Sequence, residues 1–390
     1  MTGYRSWLLV ALALVATACG ATSGEVTDPE PTTVTSGSTP RSETTSGSEQ
    51  PNPPAQPQPE AVTVTSLPEG FDLADSRVVA ANLDVPWGID FLPDGDALVT
   101  ERDTANLLSV SPDGDVTPLG TVPGVTPTSE GGLLGVAVSP TYADDQTVFV
   151  YATTEADNRV LSGTVEDLVA GRGTPILTGI PRGDIHNGGR LAFGPDDKLY
   201  VTTGETGDGE LAQDLDSLGG KILRIDPDGT VPPDNPFESS PVWTYGHRNV
   251  QGIAWDDEGR MWETEFGSQQ WDEVNLIGPG NNYGWPAAEG TGGLEGMIDP
   301  YAVFSTFTAS PSGLAYADGA LWLGALQGET TWRVPVQSEG LGTPEAVRLA
   351  EARTRTVVAA PDGSLWVTTS DTDGRANAEA GDDRIFAVRP

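Results

Sequence analysis

The chain of 390 residues holds one cysteine, two histidines and two lysines. With Cys19 alone there is no intramolecular disulfide, no cysteine-based metal site and no catalytic thiol to draw on. Positive charge is scarce as well: 20 Lys+Arg stand against 57 Asp+Glu, a net of −37. A nucleic-acid phosphate backbone or an anionic membrane surface would repel such a chain, so its partners are expected to be neutral, cationic or metal ions. Long hydrophobic runs are also missing, and the apolar run from Trp7 to Val15 is too short to span a bilayer.

That run follows Arg5 and ends in Ala-Thr-Ala-Cys-Gly, with Cys19 where a lipid would be attached. Residues 1–19 are expected to be a bacterial lipoprotein signal, directing export and anchoring at Cys19, or else a plain signal peptide cleaved nearby. From 20 to 66 the composition is mostly Thr, Ser, Pro, Gly, Glu and Gln, too polar to offset the entropy of ordering. This segment is expected to be a tether, or an O-glycosylated stalk. As a flexible coil it would hold the following domain on the order of 40 Å from the membrane.

The chain's 48 glycines, 32 prolines and ten tryptophans, most of them in the remainder, 67–390, favour short strands joined by tight turns. A hairpin pattern of apolar strand, Pro/Asp/Gly turn and second strand recurs from Gly88, Gly135, Arg190, Gly252, Gly313 and Val357. Alternating residues such as Leu199 and Val201 suit strands buried on one face. Six such units at about fifty residues each predict an all-β, six-bladed β-propeller; a stacked sandwich or two smaller β domains are the other solutions. An early strand near Ser76 to Leu83 should close the ring beside Arg384 to Val388, since an unpaired sheet edge is a liability.

Loops at one mouth of a propeller converge from every blade. His186 precedes the first strand of the third repeat, in "GDIHNGGRLAFGP", and His247 holds the matching place in the fourth, in "YGHRNVQG". A lone histidine is often only structural, but an imidazole at a shared mouth is also suited to general-base work near neutral pH.

The segments "EGGLLGVAVSP", "HNGGRLAFGPDDKLYVTTGETGD", "GGKILRIDPDG", "YGHRNVQGIAWDDEGRMWETEFG", "DEVNLIGPGNNYGWP" and "RTRTVVAAPDGSLWV" occur in that order. Together they resemble the soluble pyrroloquinoline-quinone (PQQ)-dependent sugar dehydrogenases of the glucose/sorbosone dehydrogenase family, from about Pro86 to the C-terminus. The resemblance implies a quinone across the channel mouth, a Ca²⁺ ion beside it, an aldose or related sugar as substrate and an external electron acceptor. It makes His186 the base, Glu205 the acid that orients it, and Arg248 the cation facing the quinone oxygen. Glu205 stands where the best-known members have Asp, which puts its geometry in question.

By the same resemblance Arg353 and Arg355 grip the cofactor's carboxylates, and alternation puts both on one strand face. Asn249, Gln251 and Thr308 fall at further cofactor contacts, and Glu130 replaces a glutamine that faces substrate. Gly267 and Ser268 would offer carbonyls to the cofactor's Ca²⁺, while Asp272, Glu273 and Tyr283 align with a second, structural ion. Gln327 stands where the family usually has a lysine, and the only lysines, Lys198 and Lys221, lie in other repeats. That loss of charge should weaken the hold on an anionic quinone. The acidic stretch 371–383 lacks the spacing of a calcium hand and is expected to be a solvated insertion. The segment 287–302 and the excursion between the first two repeats are expected to shape the substrate pocket.

Two other functions fit the same fold: a catalytically silent propeller that binds a sugar or protein at the mouth, and a metal-dependent lactonase with carboxylate and Asn side chains around a central ion. Either a monomer or a homodimer suits the chain.

Overall fold

The computed structural model describes residues 60–66, 71–72, 76–349 and 352–390; the leader, Cys19 and most of the tether lie outside them. Six separate antiparallel sheets form, one for each sequence repeat, in a six-bladed β-propeller. The first blade is the simplest, a meander of Pro86–Phe91, Ala97–Glu101, Asn106–Val110 and Val116–Thr121. The first strands of the next five blades are Leu133–Val138, Leu191–Phe193, Val250–Trp255, Pro311–Ala317 and Thr354–Ala359.

The ring closes as the sequence predicts. Arg77–Ala80 pairs antiparallel with Ile385–Val388, with Val78 opposite Phe386, so the sixth blade takes its outer strand from the start of the domain. Two further early segments cap other blades. Val62–Val64, within the expected tether, runs parallel to Ala302–Ser305 on the fourth blade, and Phe71–Asp72 pairs with Glu345–Arg348 on the fifth. The Val-Thr-Val alternation suits a short edge strand of this kind.

Burial differs from the one-face expectation. In the second strands, Ala97–Glu101, Leu199–Thr202, Met261–Glu265, Ala320–Ala325 and Leu365–Thr369, every residue is buried. Blades stack face to face around the ring, so both faces of each sheet are covered. Leu199 and Val201 enter the core between the second and third blades, whereas Tyr200, between them in sequence, enters the core between the third and fourth. Six apolar clusters result, one at each junction between neighbouring blades.

Around the axis the inner strands nearly touch. A Cβ on Gly135 would strike the Gly189 carbonyl, and one on Gly252 would strike the Ser312 carbonyl, so only glycine fits at either position. Threonines on second strands bond across the same gap: Thr202 donates to the Val250 carbonyl at 2.8 Å and Thr264 to the Ser312 carbonyl at 2.9 Å. The rim that carries the site is thereby a hydrogen-bonded ring.

Candidate active site

In an antiparallel meander the start of the first strand and the end of the second lie at the same end of the blade. The two connections there, one entering strand one and one leaving strand two, build the mouth of the channel. His186 comes from the first kind and Glu205, just past Leu199–Thr202, from the second. Their side chains meet, His186 Nδ1 lying 2.7 Å from Glu205 Oε1, while the other Glu205 oxygen accepts the Gly207 N–H. The longer acid therefore reaches the histidine. His186 has a left-handed φ of 53°. Its N–H donates to Glu130 Oε2 at 2.8 Å and its carbonyl accepts the Thr206 N–H at 3.2 Å. Gly204 is required beside it, because a Cβ there would collide with the His186 carbonyl. Among the described residues Nε2 is the ring atom left without a protein partner.

A cavity of about 240 Å³ opens at this end, and His186 and Glu130 form part of its wall. Opposite them are Arg248, Asn249 and Gln251 from the fourth blade, Ser310 and Gln327 from the fifth, and Arg353 and Arg355 from the sixth. Trp87 and Arg102 come from the first blade and Arg375 from the 371–383 loop. Five arginines thus line one cavity in a protein of net charge −37. The fold concentrates the scarce positive charge where an anion would sit.

Each arginine is held differently. Arg353 and Arg355 share Asp373, whose Oδ2 lies 3.1 and 3.4 Å from their Nη2 atoms. Burial, followed by the nearby Arg102 cation, pushes Arg355 down to about 10, so it stays charged at neutral pH. Arg102 pairs with Asp103 at 2.5 Å. Arg248 donates from Nη1 to the Phe266 carbonyl at 3.2 Å and lies 5.4 Å from the Trp285 ring centre. Among the described residues its buried Nε has no partner, leaving an unspent donor beside the cavity. Beneath them Arg190, buried, stacks 4.4 Å from the Trp87 ring centre and donates to the Gln251 carbonyl and the Thr356 hydroxyl. Burial, helped by the Arg355 charge, lowers it to about 9.

The remaining expected contacts divide. Asn249 accepts the Gly188 N–H on its Oδ1 and so braces the turn that carries His186. Gln251 accepts from Ser312 and Arg355. At the fifth blade Ser310, rather than Thr308, forms the cavity wall; Thr308 donates its hydroxyl to the Ser305 carbonyl at 2.9 Å and its carbonyl accepts the Trp332 indole N–H.

His247, which matches His186 in position, is wholly buried. Its Nδ1 contacts Glu265 Oε2 at 3.0 Å, its Nε2 the Thr244 hydroxyl at 2.8 Å, and its ring stacks on Tyr283. Beyond it a void of about 10 Å³, one water-sized sphere, is lined by Glu265, Gly267, Glu273, Tyr283 and Glu289. Of the residues expected at ions, Gly267, Glu273 and Tyr283 therefore face one small cavity. Burial, then the Glu265 charge, raises Glu273 to about 8, a penalty that a bound cation would relieve. Asp272 acts as a brace, accepting the Gly267 N–H at 2.9 Å and the Ser310 N–H at 2.6 Å. Ser268 N–H is one of four successive donors to Glu289 Oε1. The segment 287–302 thus supports the Gly267–Ser268 turn through Glu289.

The 371–383 loop is solvated through its middle, where Gly374, Arg375 and 377–380 are exposed, but its acidic ends depart from the expectation of a solvated insertion. Asp371 and Asp383 are 8% and 0% exposed, and the Asp373 side chain is 2% exposed. These carboxylates turn inward because arginine and backbone donors await them, Arg353 N–H for Asp371 and Asp371 N–H for Asp383. Arg102, Arg375 and Asp373 carry a signal that was legible in the sequence: all three follow a second strand, the connection that also supplies Glu205 and Gln327.

Residues 83–378 match the family model described as Glucose / Sorbosone dehydrogenase. The chain is 30% identical over 340 residues to Aldose sugar dehydrogenase YliI of Escherichia coli strain K12, covering 76% of this chain and 90% of that one. It is 32% identical over 258 residues to Quinoprotein glucose dehydrogenase B of Acinetobacter calcoaceticus, a match over 55% of this chain and 53% of that protein. Among solved structures, the PQQ-bound form of an aldose sugar dehydrogenase from Streptomyces coelicolor is 51% identical, with a TM-score of 0.77, over 80% of this chain and 96% of that one.

Proposed function

This chain belongs to the glucose/sorbosone dehydrogenase family, and from that premise we propose that it is a PQQ-dependent sugar dehydrogenase oxidising an aldose or a related sugar hydroxyl. One observation carries the proposal: a histidine oriented by a buried acid faces a cavity walled by five arginines. The residues fit an anionic quinone. Arg353 and Arg355 present paired guanidiniums, Arg248 an unspent buried N–H, and Gln327 further donors without charge. Bound there, the quinone supplies a two-electron acceptor for hydride.

The chain's own residues supply the rest. Oxidation breaks the substrate's O–H and C–H bonds and forms C=O; the hydride takes both C–H electrons, and the proton goes to His186 Nε2. Glu205 fixes the other ring nitrogen and stabilises the imidazolium that forms. Arg248 places a permanent cation where negative charge develops. Gly267 and Ser268 would offer carbonyl oxygens to Ca²⁺, and Glu273 with Tyr283 would hold a second ion in the small void. Export, lipid attachment at Cys19 and delivery of electrons to an external acceptor complete the proposal. The cationic wall does not suit a lactonase, which needs carboxylates around a central ion.

The test is titration of the purified chain with PQQ and Ca²⁺, followed by aldoses and an artificial electron acceptor. Saturable binding and sugar-dependent bleaching of the cofactor are expected. Absence of binding at micromolar cofactor would defeat the proposal and favour the silent binding propeller.

A further inference from the structure

We propose that Glu130 is a positioning residue for His186 and that Arg375 locks it in place, so that an ion pair between the second and sixth blades holds the base in its working orientation. This rests on His186 being the base, as proposed above. Glu130 stands at the entry to the second blade and Arg375 in the loop after the sixth blade's second strand. They are 245 residues apart in sequence, yet Arg375 Nη2 lies 2.5 Å from Glu130 Oε1. The other Glu130 oxygen, Oε2, accepts the His186 backbone N–H at 2.8 Å. One carboxylate thus bridges the guanidinium of a loop arginine and the backbone of the base.

His186 needs such a hold. Its φ of 53° lies in the left-handed region, which a β-carbon disfavours and which persists only where surrounding contacts enforce it. The hold is nearly complete: Glu130 takes the N–H, Thr206 N–H bonds the carbonyl, and Glu205 takes Nδ1. With one of the two backbone bonds removed, the ring could swing away from the cavity while its bond to Glu205 loosens.

The lock on Glu130 is itself anchored. Arg375 donates its backbone N–H to Asp373 Oδ1 at 2.9 Å, and the other oxygen of Asp373 is shared by Arg353 and Arg355. A path of ion pairs and backbone hydrogen bonds therefore joins the Arg353–Arg355 pair to the base. The carboxylate is ionised: burial would raise it, but the His186 N–H and Arg375 outweigh burial and hold it below the usual range. Both oxygens of Glu130 are thereby engaged by the protein, a use unlike the substrate contact that the resemblance implies for this position.

The experiment uses the full-length chain labelled with ¹⁵N-histidine. Only two histidines are present, and the signal lost in His186→Ala identifies His186. Wild type should show one fixed tautomer for His186, from the Nδ1 bond to Glu205. Glu130→Ala should replace it with exchange-averaged signals, whereas Glu130→Gln, whose amide oxygen can still accept the His186 N–H but whose NH2 cannot accept from Arg375, should restore it only in part. In turnover, Glu130→Ala should lower kcat by about tenfold or more with KM and cofactor Kd within about twofold, and Glu130→Gln should recover part of the loss. Unchanged His186 signals in Glu130→Ala, or a raised KM at constant kcat in both variants, would overturn the proposal. Should Glu130→Ala fail to fold, Arg375→Ala gives the same readouts with smaller expected changes, and unchanged signals and kcat there would equally defeat it. If wild type shows no PQQ-dependent turnover, the proposed function fails while the histidine spectra still decide the clamp.

Discussion

Nδ1 of His186 lies 2.7 Å from Oε1 of Glu205, and the acid is buried with its second oxygen on the Gly207 N–H. The pair is built for the longer side chain. Replacing Glu205 with Gln should leave the fold and cofactor affinity intact but remove the charge that stabilises an imidazolium. Steady-state kinetics should show kcat reduced by roughly 10² to 10⁴. Glu205→Asp should also lose activity, because shortening the arm opens the contact. A Gln variant that turns over near the wild-type rate would remove Glu205 from the mechanism.

Gln327 lies in the wall that holds Arg353 and Arg355, where it can donate hydrogen bonds without charge. Introducing Gln327→Lys should tighten PQQ binding by about tenfold, the gain from converting a neutral hydrogen bond into a charge-assisted one. Equilibrium titration followed by cofactor absorbance measures this directly. Equal affinity in the two proteins would show that the arginines already satisfy the anion.

Asp373 partly neutralises Arg353 and Arg355. Both arginines keep other anchors, Arg353 Nε on the Ser370 carbonyl at 3.2 Å and Arg355 Nε on the Ser370 hydroxyl at 3.0 Å. Asp373→Asn should therefore preserve their positions while removing a competing charge. Cofactor affinity should rise by about three- to tenfold at low salt, with the gain shrinking as ionic strength increases. A weaker complex would mean that Asp373 orients the pair more than it competes.

Asp90 joins the first two blades by accepting the Val138 N–H at 2.7 Å. Burial raises it from 3.8 to about 6, although bonds from Val138 and Phe91 oppose the shift. The folded state thus binds this proton more tightly than the unfolded chain. Its stabilising contribution is complete below about pH 4 and is lost as pH rises through 6. Between pH 4 and 7 the stability of wild type relative to Asp90→Asn should fall by on the order of 3 kcal/mol, as read from urea unfolding of both proteins. A constant gap across that range would refute the shift.

The hairpin repeats were legible because strand periodicity and Pro/Asp/Gly turns are local. They placed the six first strands, and the edge argument correctly paired Arg77–Ala80 with the last blade. The assumption of one buried face failed because nothing local to Leu199–Thr202 says that Tyr200 also has a blade to pack against. Equivalent position was likewise no guide to exposure: His186 reaches the cavity, while His247, one blade on, is enclosed by Glu265, Thr244 and Tyr283.

By itself the sequence determined the blade count and the closing strand, since strand periodicity and turn residues are local. Only the tertiary structure decided which residues meet at the mouth. Closing the ring brings Arg375 to Glu130 and Asp373 to Arg353 and Arg355, and gathers five arginines around one cavity despite a net charge of −37. Such pairings depend on the end-to-end convergence of six sheets, a distance that no local pattern in the chain encodes.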